Sequence, residues 1–366
     1  MKNIGVICYP TFGGSGIIAS KLGLGLAQKN KVHFICYKKP VKLDLLESNI
    51  FFHKVNVPNY PLFEYPPYEL ALTARIVEVA QNHHLDLIHV HYAIPHAYAA
   101  LNAQRILKEQ NINIPIITTL HGTDITLVGK SPYILSAVNY AINNSSIVTA
   151  VSEDLKAETL KYFNVQNEIT VIPNFIEFSL DRKPIKKLRA TKVISHISNF
   201  RPVKRVLDVI NIFEAVFRKI DSKLIMVGDG PDIKKAQDLV HSKGLDSVVC
   251  FTGATKDVGD LLTETDLFLL PSENESFGLV ALEAMSFGIP VIATDSGGVT
   301  ELVLDSFNGY TCKVGDIVSM SQRAINLLTN PELYQKTSFN AYETARKYDI
   351  KEVMPLYEKC YQKALK

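Results

Sequence analysis

Two carboxylates on either side of a Ser-Phe-Gly turn give the strongest chemical signal in the chain. Glu275 precedes Ser276-Phe277-Gly278, and the apolar stretch from Leu279 through Glu283 predicts a helix. Unpaired N–H groups at a helix N-terminus attract anions, and Gly278 leaves room for a phosphate. A fully helical interval would separate the glutamates by roughly 12 Å along the axis, against about 5–5.5 Å between the paired carboxyl groups of retaining glycosidases. The pattern therefore predicts a nucleotide-sugar site in which the two glutamates have different roles. Two isolated glutamates without this turn would instead indicate a solvated helix face.

A glycine-rich loop near the N-terminus is a second candidate ligand site. A strand predicted at Ile4–Tyr9 is followed by Gly13-Gly14-Ser15-Gly16 and by a helix that begins near Ile17. Glycines let a ligand approach the backbone, and a helix start favours an anion. A dinucleotide site would need the G-x-G-x-x-G spacing and an acidic residue after the second strand, and the sequence has neither. A purely structural turn stays open as an alternative.

Histidines mark the ends of two further predicted strands. His121 follows Thr118-Thr119-Leu120, where the imidazole could hydrogen-bond a sugar hydroxyl, although an isolated histidine is more often structural. His89 and His91 would share one strand face, as metal ligands do. No cysteine or carboxylate is spaced to complete that shell, so we expect no metal and assign the His91-Tyr92 strand end to a substrate contact. His83 and His84 are interpreted as surface loop residues.

The elements that must position these residues form two series of short β-branched runs alternating with helical patterns. Such alternation predicts parallel α/β sheets, and two series predict two doubly wound domains. Strand patterning fails near residues 178–190, where the basic run from Arg182 to Arg189 indicates a solvated linker. The predicted strands are Ile4–Tyr9, Lys31–Cys36, Leu85–Val90 and Pro115–Leu120, then Lys192–Ile197, Lys223–Val227, Val248–Thr252, Leu267–Leu270 and Pro290–Ala293.

Composition agrees with a large globular enzyme. The chain has 366 residues, 47% of them apolar and 21% charged, which favours two domains over one. A net charge of +2 with scattered basic residues argues against nucleic-acid binding. The 5 cysteines contain no C-x-x-C pair, and no apolar run approaches the length of a signal-peptide core or a membrane span. We therefore expect a cytoplasmic protein without stable membrane association.

The glutamate string resembles the E-x7-E signature of the retaining glycosyltransferases of family 4, and other passages extend the similarity over much of the chain. Val227-Gly228-Asp229-Gly230-Pro231 and Phe251-Thr252-Gly253 resemble further family motifs. The resemblance implies the GT-B fold, in which two Rossmann-like domains face each other across an interdomain cleft. It implies an acceptor domain at 1–180 and a nucleotide-sugar domain at 190–348, with about 349–366 packing back on the first.

The family motifs imply roles for residues on the donor side. Glu275 would contact sugar hydroxyls, Glu283 would hold the ribose, and His121 would lie beside the donor sugar. The segment Ser198–Arg205 is similar to the phosphate-binding passage, with Asn199 where the family has arginine, so Lys204 keeps a cation and Arg201 or Arg205 replaces the missing one. The implied catalytic residues are His121, Glu275 and Lys204. The implied donor-binding residues are Gly14, Asn199, Arg201, Lys204, Arg205, Gly228, Gly253, Ser276, Phe277, Gly278, Leu279 and Glu283.

Several passages resemble the branch of the family that transfers N-acetylglucosamine to L-malate for bacillithiol biosynthesis. They include Cys8-Tyr9-Pro10, Tyr65-Pro66-Pro67-Tyr68 and Asn174-Phe175, where Phe175 stands in place of the usual glycine. The resemblance implies UDP-N-acetylglucosamine (UDP-GlcNAc) as donor, L-malate as acceptor, retention at the anomeric carbon and no cofactor. The implied acceptor-binding residues are Gly14, Ser15, Tyr92, Thr119, Asn174 and Arg201.

Two alternatives stay open on sequence grounds. A related transferase with a lipid or polysaccharide acceptor would share the donor motifs and would be expected to carry a basic-hydrophobic surface on the first domain. A UDP-sugar epimerase on the same fold would need no acceptor. A non-catalytic binding protein fits least, because all donor-side groups are present. The sequence leaves a homo-oligomer open.

Overall fold

The computed structural model describes residues 1–11, 13–41, 43, 48–58, 61–179, 189–255 and 258–366. The chain divides into two units. Unit 1 comprises Met1–Asn174 and Ile350–Lys366, and unit 2 comprises Phe175–Asp349. Arg182–Leu188 of the predicted basic linker lie outside the described residues.

Unit 1 is built on a parallel sheet whose described part has seven strands in the order β3-β2-β1-β4-β5-β6-β7. Side chains on both faces of β1, β2, β4, β5 and β6 are mostly buried, as parallel sheets covered by helices require. The strands are β1 Asn3–Ile7, β2 Lys31–Cys36, β3 Ile50–Lys54, β4 Leu87–His91, β5 Ile116–Leu120, β6 Ile147–Ala150 and β7 Ile169–Val171. The first helices are α1 Gly14–Ala27, α2 Tyr68–His83, α3 Tyr98–Lys108, α4 Leu135–Asn144 and α5 Glu153–Tyr162.

Unit 2 repeats the arrangement with a six-stranded described sheet in the order β10-β9-β8-β11-β12-β13, again all parallel. Large buried side chains, such as those of Phe200, Phe213 and Tyr334, fill its core. The strands are β8 Lys192–Ile197, β9 Ser222–Val227, β10 Val249–Gly253, β11 Leu267–Leu270, β12 Val291–Thr294 and β13 Gly309–Cys312. The helices are α6 Val206–Phe217, α7 Ile233–Ser242, α8 Gly259–Glu264, α9 Leu279–Met285, α10 Val299–Leu302, α11 Ile317–Thr329 and α12 Pro331–Arg346.

The C-terminal helix α13, Ile350–Ala364, belongs to unit 1. Its Tyr361 hydroxyl lies 2.8 Å from Nδ1 of His89 on β4, in the buried interior of the unit. The first unit ends at Asn174, before the sequence-based boundary at 180, because Ile176 already pairs with the end of unit 2. The backbone N–H of Ile176 donates to the carbonyl of Tyr348 at 3.0 Å.

Both sheets reverse their strand order at an equivalent point. The reversal lies between β1 and β4 in unit 1 and between β8 and β11 in unit 2. Doubly wound sheets bind ligands outside the carboxyl ends of the strands at such a switch point. The predicted α/β, doubly wound architecture is confirmed for both units, and it directs attention to the loops after these four strands. Among the described residues, no helix is both long enough and apolar enough to cross a membrane.

Candidate active site

The glycine-rich loop follows β1 at the switch point of unit 1. Helix α1 begins at Gly14, three residues earlier than the sequence predicted, and within the described part of the chain no side chain caps its N-terminus. A Cβ atom on Gly16 would lie 2.3 Å from the carbonyl oxygen of Thr11 and 2.6 Å from that of Tyr9. The close packing explains the glycine at position 16, while exposed Gly14 and half-buried Ser15 remain at the surface of the loop.

Tyr92 connects this loop to the end of β4. Its hydroxyl donates a hydrogen bond to Oγ of Ser15 at 2.8 Å, and its backbone N–H donates to the carbonyl of Thr119 at 2.9 Å. The backbone of Tyr92 has φ = 85°, which is rare for an aromatic residue and stores strain. Strained backbone of this kind concentrates at functional sites. The Tyr92 ring lies beside that of His121, with ring centroids 5.2 Å apart.

His121 sits directly after β5 and pairs with His91 of β4. Nε2 of His121 lies 2.8 Å from Nδ1 of His91. Burial, with the nearby His96, lowers the pKa of His121 to about 3, so the ring is neutral at physiological pH. A neutral imidazole has one donor and one acceptor nitrogen. His121 can therefore hydrogen-bond a hydroxyl group but cannot supply a positive charge.

His89 and Thr119 form the layer beneath this pair. His89 and His91 share a strand face as predicted, with ring centroids 4.6 Å apart. Thr119 is fully buried, and its hydroxyl already contacts Nε2 of His89 and Oγ1 of Thr149, each at 2.7 Å. An acceptor contact through this hydroxyl would require one of these hydrogen bonds to be exchanged.

Asp124 joins the loops that follow β4 and β5. Its carboxylate accepts backbone hydrogen bonds from Ala93 at 2.8 Å and from Gly122 at 3.1 Å. Burial raises the pKa of Asp124 to about 6, and the bonds from backbone N–H groups oppose that shift. Asp124 therefore stabilises its own turn and also holds the segment after His91 and Tyr92 in place.

Five buried polar atoms of unit 1 have no hydrogen-bond partner within the described ranges, and two of them, Nε2 of His91 and Oδ1 of Asn174, belong to residues discussed here. Such an unpaired buried group typically costs about 1–3 kcal/mol. Native proteins rarely leave these atoms unpaired without a reason, so both are candidates for a ligand or water contact. The sequence predicted that Asn174 contacts the acceptor substrate. Asn174 is only 6% exposed, so its amide group has little access to solvent.

Lys204 and Glu275 form an ion pair at the switch point of unit 2. Nζ of Lys204 lies 2.6 Å from Oε1 of Glu275, and the two side chains are only 17% and 11% exposed. The Ser272 hydroxyl donates to the same carboxylate oxygen at 2.8 Å. The structure thus joins two of the three predicted catalytic residues. Glu275 precedes α9 and pairs with the backbone of Gly297, so the interval between the two glutamates is not a continuous helix.

Arg205 is committed to two carboxylates. Its Nε lies 2.6 Å from Oδ2 of Asp208, and its Nη1 lies 3.2 Å from Oε1 of Glu273. The side chains of Arg201 and Asn199 are exposed. Of the two arginines considered as replacements for the family's usual cation, Arg205 would have to exchange partners to bind a phosphate.

Glycines hold the backbone of the unit 2 site close together. Gly228 has φ = +127°, and a Cβ atom there would lie 1.7 Å from the carbonyl oxygen of Ser198. The Gly228 N–H donates to the carbonyl of Gly253 at 2.9 Å, which brings these two predicted donor-binding residues together. Only glycine can occupy position 228 without displacing the segment after β8.

The turn before α9 orients the remaining donor-side residues. Gly278 caps the helix with φ = 86°. The side chain of Phe277 is buried and packs edge-on against Tyr348, with centroids 5.7 Å apart, so its backbone is the part available to a ligand. Ser276 and Leu279 are half-buried in the same turn, and half-buried Glu283 lies within α9.

Each unit therefore contributes a group of predicted residues, with Ser15, Tyr92 and His121 in unit 1 and Lys204 and Glu275 in unit 2. The sequence assigned the His91-Tyr92 strand end to a substrate contact but did not indicate that His91 pairs with His121. It omitted three further residues that hold predicted ones in place, namely Asp124, Ser272 and Glu273, and the only available signal was that each lies within a few residues of a predicted one.

Two models of known protein families match the chain, one over most of each unit. The model described as Glycosyltransferase Family 4 matches residues 12–180, and the model described as Glycosyl transferases group 1 matches residues 178–344. N-acetyl-alpha-D-glucosaminyl L-malate synthase of Bacillus anthracis is 41% identical over 373 residues, covering 99% of this chain and 97% of that protein.

Solved structures show the same fold at lower identity. Anabaena HepE in complex with UDP-glucose matches with a TM-score of 0.83 at 23% identity, covering 99% of this chain and 100% of HepE. Sucrose-phosphate synthase from Thermosynechococcus elongatus matches with a TM-score of 0.79 at 19% identity, covering 99% and 98% of the two chains. The predicted GT-B fold is thereby confirmed.

Proposed function

Because the chain belongs to the family 4 glycosyltransferases, we propose that it transfers N-acetylglucosamine from UDP-GlcNAc to the hydroxyl group of L-malate, with retention at the anomeric carbon. One observation carries the proposal, which is the 41% identity to the N-acetyl-alpha-D-glucosaminyl L-malate synthase of Bacillus anthracis over 99% of the chain. Similarity of this extent includes the acceptor-side unit as well as the motifs that many family members share.

The unit 1 residues support a small polar acceptor. Ser15 and Tyr92 form a hydroxyl pair at the switch point, and the buried amide oxygen of Asn174, which has no described partner, could accept a hydrogen bond from the acceptor hydroxyl group. Hydrogen bonds to a charged carboxylate are roughly twice as strong as those between neutral groups. A dicarboxylate such as malate could bind to the two hydroxyl groups together with the backbone at Gly14.

The unit 2 residues support departure of a nucleoside diphosphate. Negative charge grows on the diphosphate as its bond to the anomeric carbon breaks, and Lys204 supplies a cation that is already held in place by Glu275. Glu275 and neutral His121 would position the sugar through hydrogen bonds. The malate hydroxyl would form the new bond on the same face, and its proton would pass to the leaving phosphate oxygen. No step requires a metal, and the expectation of a metal-free reaction stays a prediction.

The test is to incubate the purified full-length protein with UDP-GlcNAc, with and without L-malate, and to measure UDP release together with product mass. The proposal predicts malate-dependent UDP release and a product with the mass of N-acetylglucosaminyl malate. Succinate, which lacks the hydroxyl group, serves as the matched acceptor control and should release no UDP.

The other outcomes separate the alternatives. UDP release that requires a lipid or polysaccharide in place of malate would keep the transferase activity and reject the acceptor. A sugar isomer formed without any acceptor would reject transfer and indicate an epimerase.

A further inference from the structure

Three histidines from separate elements meet at the outer edge of the unit 1 sheet. His33 lies in β2, His53 in β3, and His83 is the last residue of α2. One ring nitrogen from each lies within 4.8 Å of the others, and Nδ1 of His33 is 3.0 Å from Nε2 of His53. The interpretation of His83 as a surface loop residue was wrong, because α2 extends through it and leaves it half-buried.

Strand register and helix packing bring these rings together. His33 pairs with Phe51 across the parallel strands, so His53, two residues further on, points to the same face of the sheet. The Phe51 ring stacks on His33 with centroids 4.8 Å apart. The His83 ring reaches both others from α2, with centroids 4.7 Å from His33 and 4.9 Å from His53. The cluster is thus positioned by regular elements rather than by a loop.

The cluster runs from the interior to the surface. His33 is 1% exposed, and its Nε2 has no hydrogen-bond partner in the described part of the chain, while His53 and His83 are half-buried. The nitrogen of His33 that faces His53 is Nδ1, so the unpaired Nε2 would need a separate partner such as a water molecule. Solvent can still reach the outer two rings, which leaves a path for an ion to enter.

The charges around the cluster are few and partly balanced. The charged groups facing it are Lys31 of β2 and the pair of Arg75 and Glu78 on α2, whose side chains lie 2.6 Å apart. Burial lowers the pKa of His33 to about 3 and that of His53 to about 4. Both rings are therefore neutral at pH 7, and neutral imidazole is the form that binds metal ions.

We propose that His33, His53 and His83 bind one divalent transition-metal ion of the zinc class, with solvent in the remaining coordination position. Three imidazoles plus water is a set that zinc accepts, at metal–nitrogen distances of about 2.0–2.1 Å. Tetrahedral angles at those distances place the ligand nitrogens roughly 3.4 Å apart. The His33–His53 pair is already near this spacing, and the half-buried His53 and His83 rings can close the rest by side-chain rotation.

The ion would have a structural role. It would connect the edge strand β3 and its neighbour β2 to helix α2. The predicted transfer site lies elsewhere in the same sheet, at the switch point between β1 and β4. A bound ion that is absent from the unfolded chain stabilises the fold by mass action. Removal of the ion should therefore lower the stability of the protein without abolishing transfer at moderate temperature.

The test is a titration of the chelator-treated full-length protein with Co2+, followed by displacement with Zn2+. We expect one equivalent of Co2+ to produce the visible absorption of a four-coordinate cobalt site, and Zn2+ to displace it. Excess Zn2+ should also raise Tm by roughly 5 °C, as expected for a ligand at about one hundred times its Kd.

Three variants make the result specific. His53→Gln and His83→Gln each remove one ligand from a half-buried position, and each should weaken Co2+ binding by at least 10²-fold, beyond the 10–100-fold typical for loss of a supporting contact. His241→Gln is the matched control, because His241 is an exposed histidine of unit 2 with a side chain 84% exposed, and its variant should bind like the original. Far-UV circular dichroism confirms that each variant is folded.

Two results would overturn the proposal. One is a folded protein that takes up no stoichiometric Co2+ or Zn2+. The other is metal binding that persists at full strength in both His53→Gln and His83→Gln, which would place the ion elsewhere on the chain.

Discussion

The ammonium group of Lys204 and the carboxylate of Glu275 stand 2.6 Å apart in a partly buried environment. The pair keeps both charges in position before any donor arrives. A preorganised cation avoids the reorganisation that a flexible lysine would need as charge develops on the leaving group. The carboxylate also receives the Ser272 hydroxyl, so the cation is oriented by a small network rather than by one contact.

Replacement of Lys204 with alanine should lower kcat by on the order of 10²–10³, the typical loss for one preorganised electrostatic donor. Steady-state UDP release at saturating substrates measures the change. The matched control is Lys234→Ala, which removes a lysine from the exposed ion pair with Asp238 in the same unit and should leave kcat unchanged. A Lys204→Ala enzyme that turns over at the original rate would exclude Lys204 from the transfer step.

Replacement of Tyr92 with phenylalanine should raise the KM for malate by roughly 2–10-fold, since one neutral hydrogen bond contributes about 0.5–1.5 kcal/mol. The KM for UDP-GlcNAc should stay constant, because the lost contact is to Ser15 in the acceptor-side unit. Tyr133→Phe, at a position 83% exposed, is the control. Equal increases in both KM values would argue against an acceptor role for Tyr92.

The sequence nominates individual site residues when they stand inside a motif, but it does not indicate their partners. His121 and Lys204 are candidates from the sequence alone, and their roles stay predictions. The contacts of His121 with His91, and of Lys204 with Glu275, depend on strand register and on loop paths that bring together residues 30 and 71 positions apart. No local pattern encodes such a distance.

At the scale of elements, a strong constraint is the backbone of the turns that follow the strands at their carboxyl ends. Gly228→Ala should destabilise the protein by more than about 2 kcal/mol, because the new Cβ would meet the Ser198 carbonyl at 1.7 Å and the φ of +127° disfavours alanine. Gly244→Ala is the control, since Gly244 also has positive φ, at +65°, but has open space around it.

Urea unfolding of the two glycine variants measures the difference directly. The Gly244→Ala variant should lose only about 1 kcal/mol, the usual penalty for a non-glycine residue in left-handed backbone. Equal losses in both variants would show that φ alone, and not the packing against Ser198, determines the requirement at position 228.

Buried parallel strands were the most predictable elements. Lys31–Cys36, Lys192–Ile197 and Leu267–Leu270 have the bounds that the sequence predicted, because apolar residues with little polar interruption mark strands covered on both faces. The short strands β3, β6, β7 and β13 escaped detection, since each is only a few residues long and includes polar residues such as His53 or Thr149. Helix α1 begins at Gly14, before the predicted start near Ile17. The close packing of Gly16 against the carbonyl groups of Tyr9 and Thr11 determines this start more than helix propensity does.

At the scale of the whole molecule, buried neutral histidines make stability depend on pH. His89, His96 and His196 are fully buried, and burial lowers their pKa values to about 3, about 4 and about 4. In the unfolded chain these rings titrate near 6.5, so the unfolded state binds more protons below that pH. Their contribution to stability is complete above pH 6.5 and is lost progressively as the pH falls towards 4.

The free energy of unfolding should therefore decrease between pH 6.5 and 5, by up to about 1.4 kcal/mol per pH unit for each such histidine. Asp124 acts in the opposite direction, because its raised pKa of about 6 makes the folded state bind a proton first. It is one group, whereas His33, His53 and His121 add to the effect of the three histidines above. Urea unfolding at pH 8, 7, 6 and 5 at constant ionic strength measures the effect. The interval from pH 8 to 7 is the internal control, and a flat profile down to pH 5 would contradict the prediction.

The return of α13 to unit 1 has a consequence for how the protein is made. Unit 1 needs residues from both ends of the chain, with all of unit 2 inserted between Asn174 and Ile350. At 5–20 residues per second, a ribosome takes on the order of 10–35 s to synthesise that insertion. During this time the partner of His89 does not yet exist, and the β4 surface that Tyr361 covers stays open. The domain begun first is therefore completed last, so the interval between its two parts is when the nascent chain most needs chaperone protection.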